Sequence, residues 1–144
     1  MKLTRILALA ACAAFTFTAT PAFAAEHEKD KKGEHKGGHA TKVPETAEGI
    51  VAEIHKHHGE VTQTIKAKNL KTVHDHAEAI TALVKALPAK VATDKKARVE
   101  GTSKNISKLA DAMHDAADAG DQAKTEAQLK KLDAVLAQLN SQVK

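Results

Sequence analysis

Residues 70–88 read Leu-Lys-Thr-Val-His-Asp-His-Ala-Glu-Ala-Ile-Thr-Ala-Leu-Val-Lys-Ala-Leu-Pro. Val73, Ala77, Ile80, Val84 and Leu87 recur every three or four residues, which puts them on one stripe of an α-helix. Asn69 stands where a helix cap belongs, and Pro88 cannot continue the helix. The stretch therefore predicts an amphipathic helix from Leu70 to Leu87. A helix apolar on one side needs a partner to cover that side.

Partners lie on both sides. A first helix is predicted from Ala47 to Lys66, with Thr46 as N-cap and Ile50, Ile54, Val61 and Ile65 in its stripe. A third is predicted from near Asp94, behind Thr93, to about Ala119, where Gly120 ends it. Its inward residues are Val99, Ile106, Leu109, Ala110 and Met113, with Gly101 as a weak point. The fourth runs from Asp121 to about Val143 with Leu129, Leu132, Val135, Leu136 and Leu139.

An internal repeat relates the two halves. Shifted by 52 residues, Ile54 falls on Ile106, Val61 on Met113 and Ile65 on Ala117. Ala77 falls on Leu129, Ile80 on Leu132, Leu83 on Val135, Val84 on Leu136 and Leu87 on Leu139. The turn Lys68-Asn69 falls on Gly120-Asp121. Two hairpins with short turns bury their stripes best face to face. The expected fold is all-α, an up-down-up-down four-helix bundle over residues 46–144.

The start of the chain reads differently. Lys2 and Arg5, the apolar run from Ile6 to Phe17 and the small-residue site Ala22-Phe23-Ala24 have the form of a secretory signal over residues 1–24. This predicts export, with a periplasmic destination. Residues 25–45 are rich in His, Lys and Glu and have no apolar period, so a disordered tail is expected there. Leu9-Ala10-Ala11-Cys12 resembles a lipoprotein cleavage box, but the apolar stretch before Cys12 is short for one.

Composition removes several functions from consideration. Without Lys2 and Arg5, 20 basic residues face 18 acidic ones, a net charge of +2. All three Phe lie in the leader, and the chain has no Trp or Tyr. Neither charge nor stacking surface suits a nucleic-acid binder. Cys12 is the only cysteine, so no disulfide or thiolate site is expected after cleavage. Ser103, Ser107 and Ser141 lack a Gly-rich elbow, and the chain is not expected to be an enzyme.

What stands out is nine histidines. Cleavage after Ala24 would make Ala25-Glu26-His27 the new terminus. Its amine, two backbone amides and imidazole supply four in-plane nitrogens, which suits Cu(II) or Ni(II). His35 and His39 in the tail could collect further ions. In the helices, His58 falls within the first stripe, while His57 and His76 fall on flanks. His55, His74 and His114 are read as pointing outward. His55 and His58, three apart, share a face. A site near one end of the bundle from His58, His76 and Met113 or His114 is sterically conceivable. Imidazole with thioether suits copper, and imidazole alone suits zinc or nickel. Asp111, Asp115, Asp118 and Asp121 are read as a solvated face, with a weak acidic metal site as the alternative.

The layout of residues 47–144 resembles the cytochrome b562 family of periplasmic four-helix bundles. The resemblance rests on helix lengths, the Lys68-Asn69 turn, the Ala86-Leu87-Pro88 stop and the Ala119-Gly120-Asp121 turn. It implies haem held between a Met early in the first helix and a His late in the fourth. Those places fall near Ile54-His55 and near Asn140, and the fourth helix contains neither His nor Met. Small periplasmic metal-stress proteins with His-rich ends are similar in composition.

The expected function is binding or buffering of copper, nickel or zinc, with metal ions and a metal efflux or resistance system as partners. Two other readings stay open at this point: a haem electron carrier, and a structural or stress-response bundle with no ligand.

Overall fold

A computed structural model describes residues 41–144. Four α-helices follow one another: α1 (Ala47–Lys66), α2 (Val73–Ala86), α3 (Thr93–Asp118) and α4 (Gln122–Val143). The described residues contain no strand. No helix among them is long and apolar enough to cross a membrane. The predicted cleavage site and residues 25–40 of the expected tail, with Ala25, Glu26 and His27, lie outside the described residues; residues 41–45 are described and precede α1 without helix or strand.

Local chemistry accounts for the helix ends. Thr46 caps α1 by accepting from the Gly49 N–H at 3.1 Å. Asp121, expected as the first helical residue of α4, sits one place earlier as its N-cap and accepts from the Lys124 N–H at 2.9 Å. The second helix departs from expectation. Residues Leu70–Thr72 form a 3-10 turn before α2, and Asn69 makes no side-chain cap bond. Leu87–Ala89 form another 3-10 turn that holds Pro88 where its missing N–H costs no bond. α3 starts at the expected cap itself, one residue before Asp94, so Thr93 is inside it. Ala92, which has no side-chain oxygen, takes the cap position.

The 52-residue repeat reappears in backbone geometry. After α1, Lys68 takes φ +56°, and after α3 Gly120 takes φ +69°. Three bonds close the first turn: Ala67 N–H to Gln63 O, Lys68 N–H to Ile65 O, and Asn69 N–H to Thr64 O. The second turn repeats them: Ala119 to Asp115, Gly120 to Ala117, and Asp121 to Ala116. Each pair differs by 52. This is a left-handed C-terminal helix stop, with glycine at the left-handed position in one half and lysine in the other.

Packing follows the stripes. Ile50, Ile54, Val61, Val73, Ile80, Leu83, Val84, Leu87, Val99, Ile106, Ala110, Met113, Leu132 and Leu139 are fully buried in one core. α1 packs on α2, α2 on α3, α3 on α4, and α4 on α1. Cross-helix bonds give the directions. His55 meets Asn140 and His58 meets Asp133, so α1 and α4 run oppositely. Buried Thr102 donates to Gln142 at 2.9 Å between α3 and α4, and Thr81 donates to Asp111 between α2 and α3. The end of α1, the start of α2 and the end of α3 therefore meet at one end of the structure.

Candidate metal centre

Two groups of histidine and carboxylate side chains occupy that end. The first joins α1 to α2. His57 and Glu60 are three residues apart, which places them on one face of α1, and His76 projects from the first turn of α2. His57 Nδ1 lies 3.2 Å from His76 Nδ1. Glu60 Oε2 lies 3.4 Å from His57 Nδ1 and 3.2 Å from His76 Nδ1. The imidazoles are 17% and 23% exposed and the carboxylate 41%, so the rings are held and the acid opens to solvent.

The second group joins α2 to α3. His74 Nδ1 meets His114 Nε2, and Asp118 Oδ2, one helical turn beyond His114, lies 3.5 Å from the same Nε2. The remaining ring nitrogens also face carboxylates: His74 Nε2 is 3.4 Å from Glu78 Oε1, and His114 Nδ1 is 3.4 Å from Asp115 Oδ1. A carboxylate behind an imidazole fixes its tautomer and raises its basicity as a ligand.

His74 and His76 are two apart on α2, about 200° around the helix. That angle sends His76 toward α1 and His74 toward α3. One turn of α2 thus serves both groups. In each, the ligand-type atoms all lie within 4.8 Å of one another. Two imidazoles and a carboxylate are a donor set for a divalent transition metal.

Electrostatics suit this at neutral pH. Burial is the chief cause holding the His57 pKa below its usual value, and nearby His76 adds to the effect; Glu60 acts the other way. His57 therefore presents a neutral nitrogen, the form that ligates.

The structure sorts the sequence candidates. His57 and His76 come together, with Glu60. His114 is brought to His74 and Asp118. His58 joins neither group. It turns to α4, where its Nε2 lies 2.5 Å from Asp133 Oδ1. His55 shares that face, as its spacing requires, and bonds Asn140 Oδ1 at 2.8 Å on the exposed surface. Those two residues stand at the places where the b562 resemblance puts its haem ligands. Met113 is fully buried in the apolar core and joins neither group. His74 and His114, read as outward, are half-buried and face each other. Flank positions of adjacent helices are covered by the neighbour, which a single helical wheel does not show. Sequence reasoning missed Glu60 altogether, and it set Asp118 among a row of solvated acids and left His74 out of the metal ligands. The available signal was an acid three or four residues after a histidine: His57-x-x-Glu60 and His114-x-x-x-Asp118.

Comparison with protein-family models, curated proteins and solved structures found no match to this chain.

Proposed function

We propose that this protein is an exported, histidine-rich binder of divalent transition-metal ions that buffers copper, nickel or zinc in the periplasm. Its scaffold in this reading is an up-down-up-down four-helix bundle. The observation that carries the reading is that two separate pairs of histidines, each with a carboxylate, come together across helix boundaries at one end. Histidines kept only as surface charge would repel one another when protonated and gain nothing by meeting in pairs. Two pairs on opposite sides of one helical turn support a common purpose.

The chemistry required of these residues is simple. The imidazoles give up any proton on the ligating nitrogen, and the carboxylate offsets the cation's charge. The helices hold donors that are 19 and 40 residues apart in the chain. The amino-terminal Ala25-Glu26-His27 set would add a square-planar site for Cu(II) or Ni(II), and a metal efflux or resistance system would be the partner that receives or supplies the ion.

Calorimetry of the exported protein against Cu(II), Ni(II) and Zn(II) tests this. His76→Ala and His114→Ala are each expected to remove one equivalent of bound ion, and His27→Ala a further copper or nickel equivalent. Unchanged stoichiometry in His76→Ala combined with His114→Ala would refute the helix sites. An amino-terminal residue other than Ala25, seen by mass spectrometry, would refute the terminal one.

A further inference from the structure

The donor spacing in the first group says which coordination geometry it is built for. His57 Nδ1, His76 Nδ1 and Glu60 Oε2 form a nearly equilateral triangle with edges of 3.2, 3.2 and 3.4 Å. A cation ~2.0–2.1 Å from each donor dictates the length of such edges. At tetrahedral angles the donors stand about 3.3–3.4 Å apart, and at the right angles of a square plane or octahedron about 2.8–3.0 Å, from those same bond lengths. The two edges of 3.2 Å lie nearer the tetrahedral spacing than the right-angled one, and the edge of 3.4 Å matches it.

The number of donors points the same way. The group has three, and a tetrahedral ion needs one more. Glu60 is the most exposed of the three, so one side of the triangle opens to solvent. Both imidazoles face the centre through Nδ1, and ligation there would put the proton of each neutral ring on Nε2. That arrangement is compatible with two lone pairs on one ion. Without an ion, one of the two Nδ1 atoms must be a donor to the other or to Glu60.

We infer that the His57–Glu60–His76 group is a tetrahedral zinc site with three protein ligands and a fourth position open to water or a small anion. The inference rests on the reading that this group binds a metal at all. It also assigns different tasks within one protein. The amino-terminal chelate would take square-planar ions, and the α1–α2 group would take the ion with no directional preference of its own.

Affinity alone is a poor test. Cu(II) outranks Zn(II) at almost any nitrogen and oxygen site. Geometry must be read directly, and Co(II) reports it, because four-coordinate tetrahedral Co(II) absorbs strongly in the visible and six-coordinate Co(II) only weakly. The experiment titrates CoCl₂ into the exported protein carrying His27→Ala and His114→Ala, which leaves this group as the strongest candidate. The expected result is one equivalent of intense visible bands. They disappear in the added variant His76→Ala, weaken in Glu60→Gln and vanish on adding one equivalent of Zn(II). Sodium azide should shift them by entering the open position.

Co(II) binding with only weak six-coordinate bands would overturn this inference and leave the metal-binding reading standing. Bands that ignore azide would overturn the open position. Absence of calorimetric binding by Co(II), Zn(II), Ni(II) and Cu(II) alike would overturn both the inference and the reading beneath it.

Discussion

If one turn of α2 is held to both neighbours by metal, zinc must raise the stability of the fold, and the rise must divide between two histidines. Unfolding separates His57 from His76 and His74 from His114, so an ion binding the folded chain stabilises it by linkage. At free zinc one hundred times the dissociation constant, each site contributes about 2.7 kcal/mol, or roughly 5 kcal/mol for two independent sites. For a domain of this size, each kcal/mol is worth about 4–8 °C in Tm. Each site should therefore raise Tm by roughly 10–20 °C at that concentration. His76 is half-buried and lies outside the apolar core, so His76→Ala should cost the metal-free protein less than about 1 kcal/mol. The assay is thermal unfolding by circular dichroism, with zinc buffered at a fixed free concentration and again with a chelator. Wild type should show the full rise, His76→Ala and His114→Ala about half each, and the double variant almost none. His55→Ala should behave as wild type, because His55 turns to Asn140 on α4 and belongs to neither group. A full zinc-induced rise in the double variant would refute the reasoning, as would loss of the rise in His55→Ala.

Other outcomes follow from single residues. In the metal-free protein, His57 has its pKa lowered chiefly by burial, so the unfolded chain takes up a proton near the usual value of 6.5 while the folded chain resists it. Stability from this residue is complete above about pH 6.5 and falls as the pH drops toward the depressed folded value; urea melts with chelator should show the loss, and His57→Gln should flatten it. Lys68 occupies a left-handed backbone position that glycine holds in the other half, so Lys68→Gly should stabilise by roughly 0.5–1 kcal/mol and Gly120→Ala should destabilise by about 1 kcal/mol in the same melts. Met113→Ala opens a cavity in the core and should cost about 2–5 kcal/mol. Zinc stoichiometry by calorimetry should be unchanged in that variant, and loss of an equivalent would mean the thioether reaches an ion.

The four helices were legible because each is written in local terms. Ile50, Ile54, Val61 and Ile65 announce α1 by spacing, and all four are buried. Thr46 announces its start, and Gly120 announces the end of α3. The second helix was legible in its interior and misread at its edges. Asn69 has the chemistry of a cap, yet the left-handed turn at Lys68 delivers the chain into a 3-10 turn that leaves the Asn69 side chain unused as one. Pairing of stripes across 52 residues anticipated burial at Ile54 and Ile106, and at Ile80 and Leu132. It also anticipated a turn whose backbone bonds recur at the same offset.

Histidine density alone pointed to metal chemistry but could not pair the residues. Sequence reasoning joined His58 to His76, because His58 lies in the apolar stripe and the two are near in height. The structure turns His58 to Asp133 on α4 and sets the flank residue His57 against His76. His57 and His58 stand about 100° apart on α1, so which of them faces α2 depends on how the stripe of Ile50, Ile54, Val61 and Ile65 is turned into the core. Periodicities and caps are properties of a few neighbouring residues, and the chain carries them wherever it goes. Which imidazole meets which carboxylate depends on the rotation and axial offset of helices brought together only by packing, and those are decided by the whole core at once.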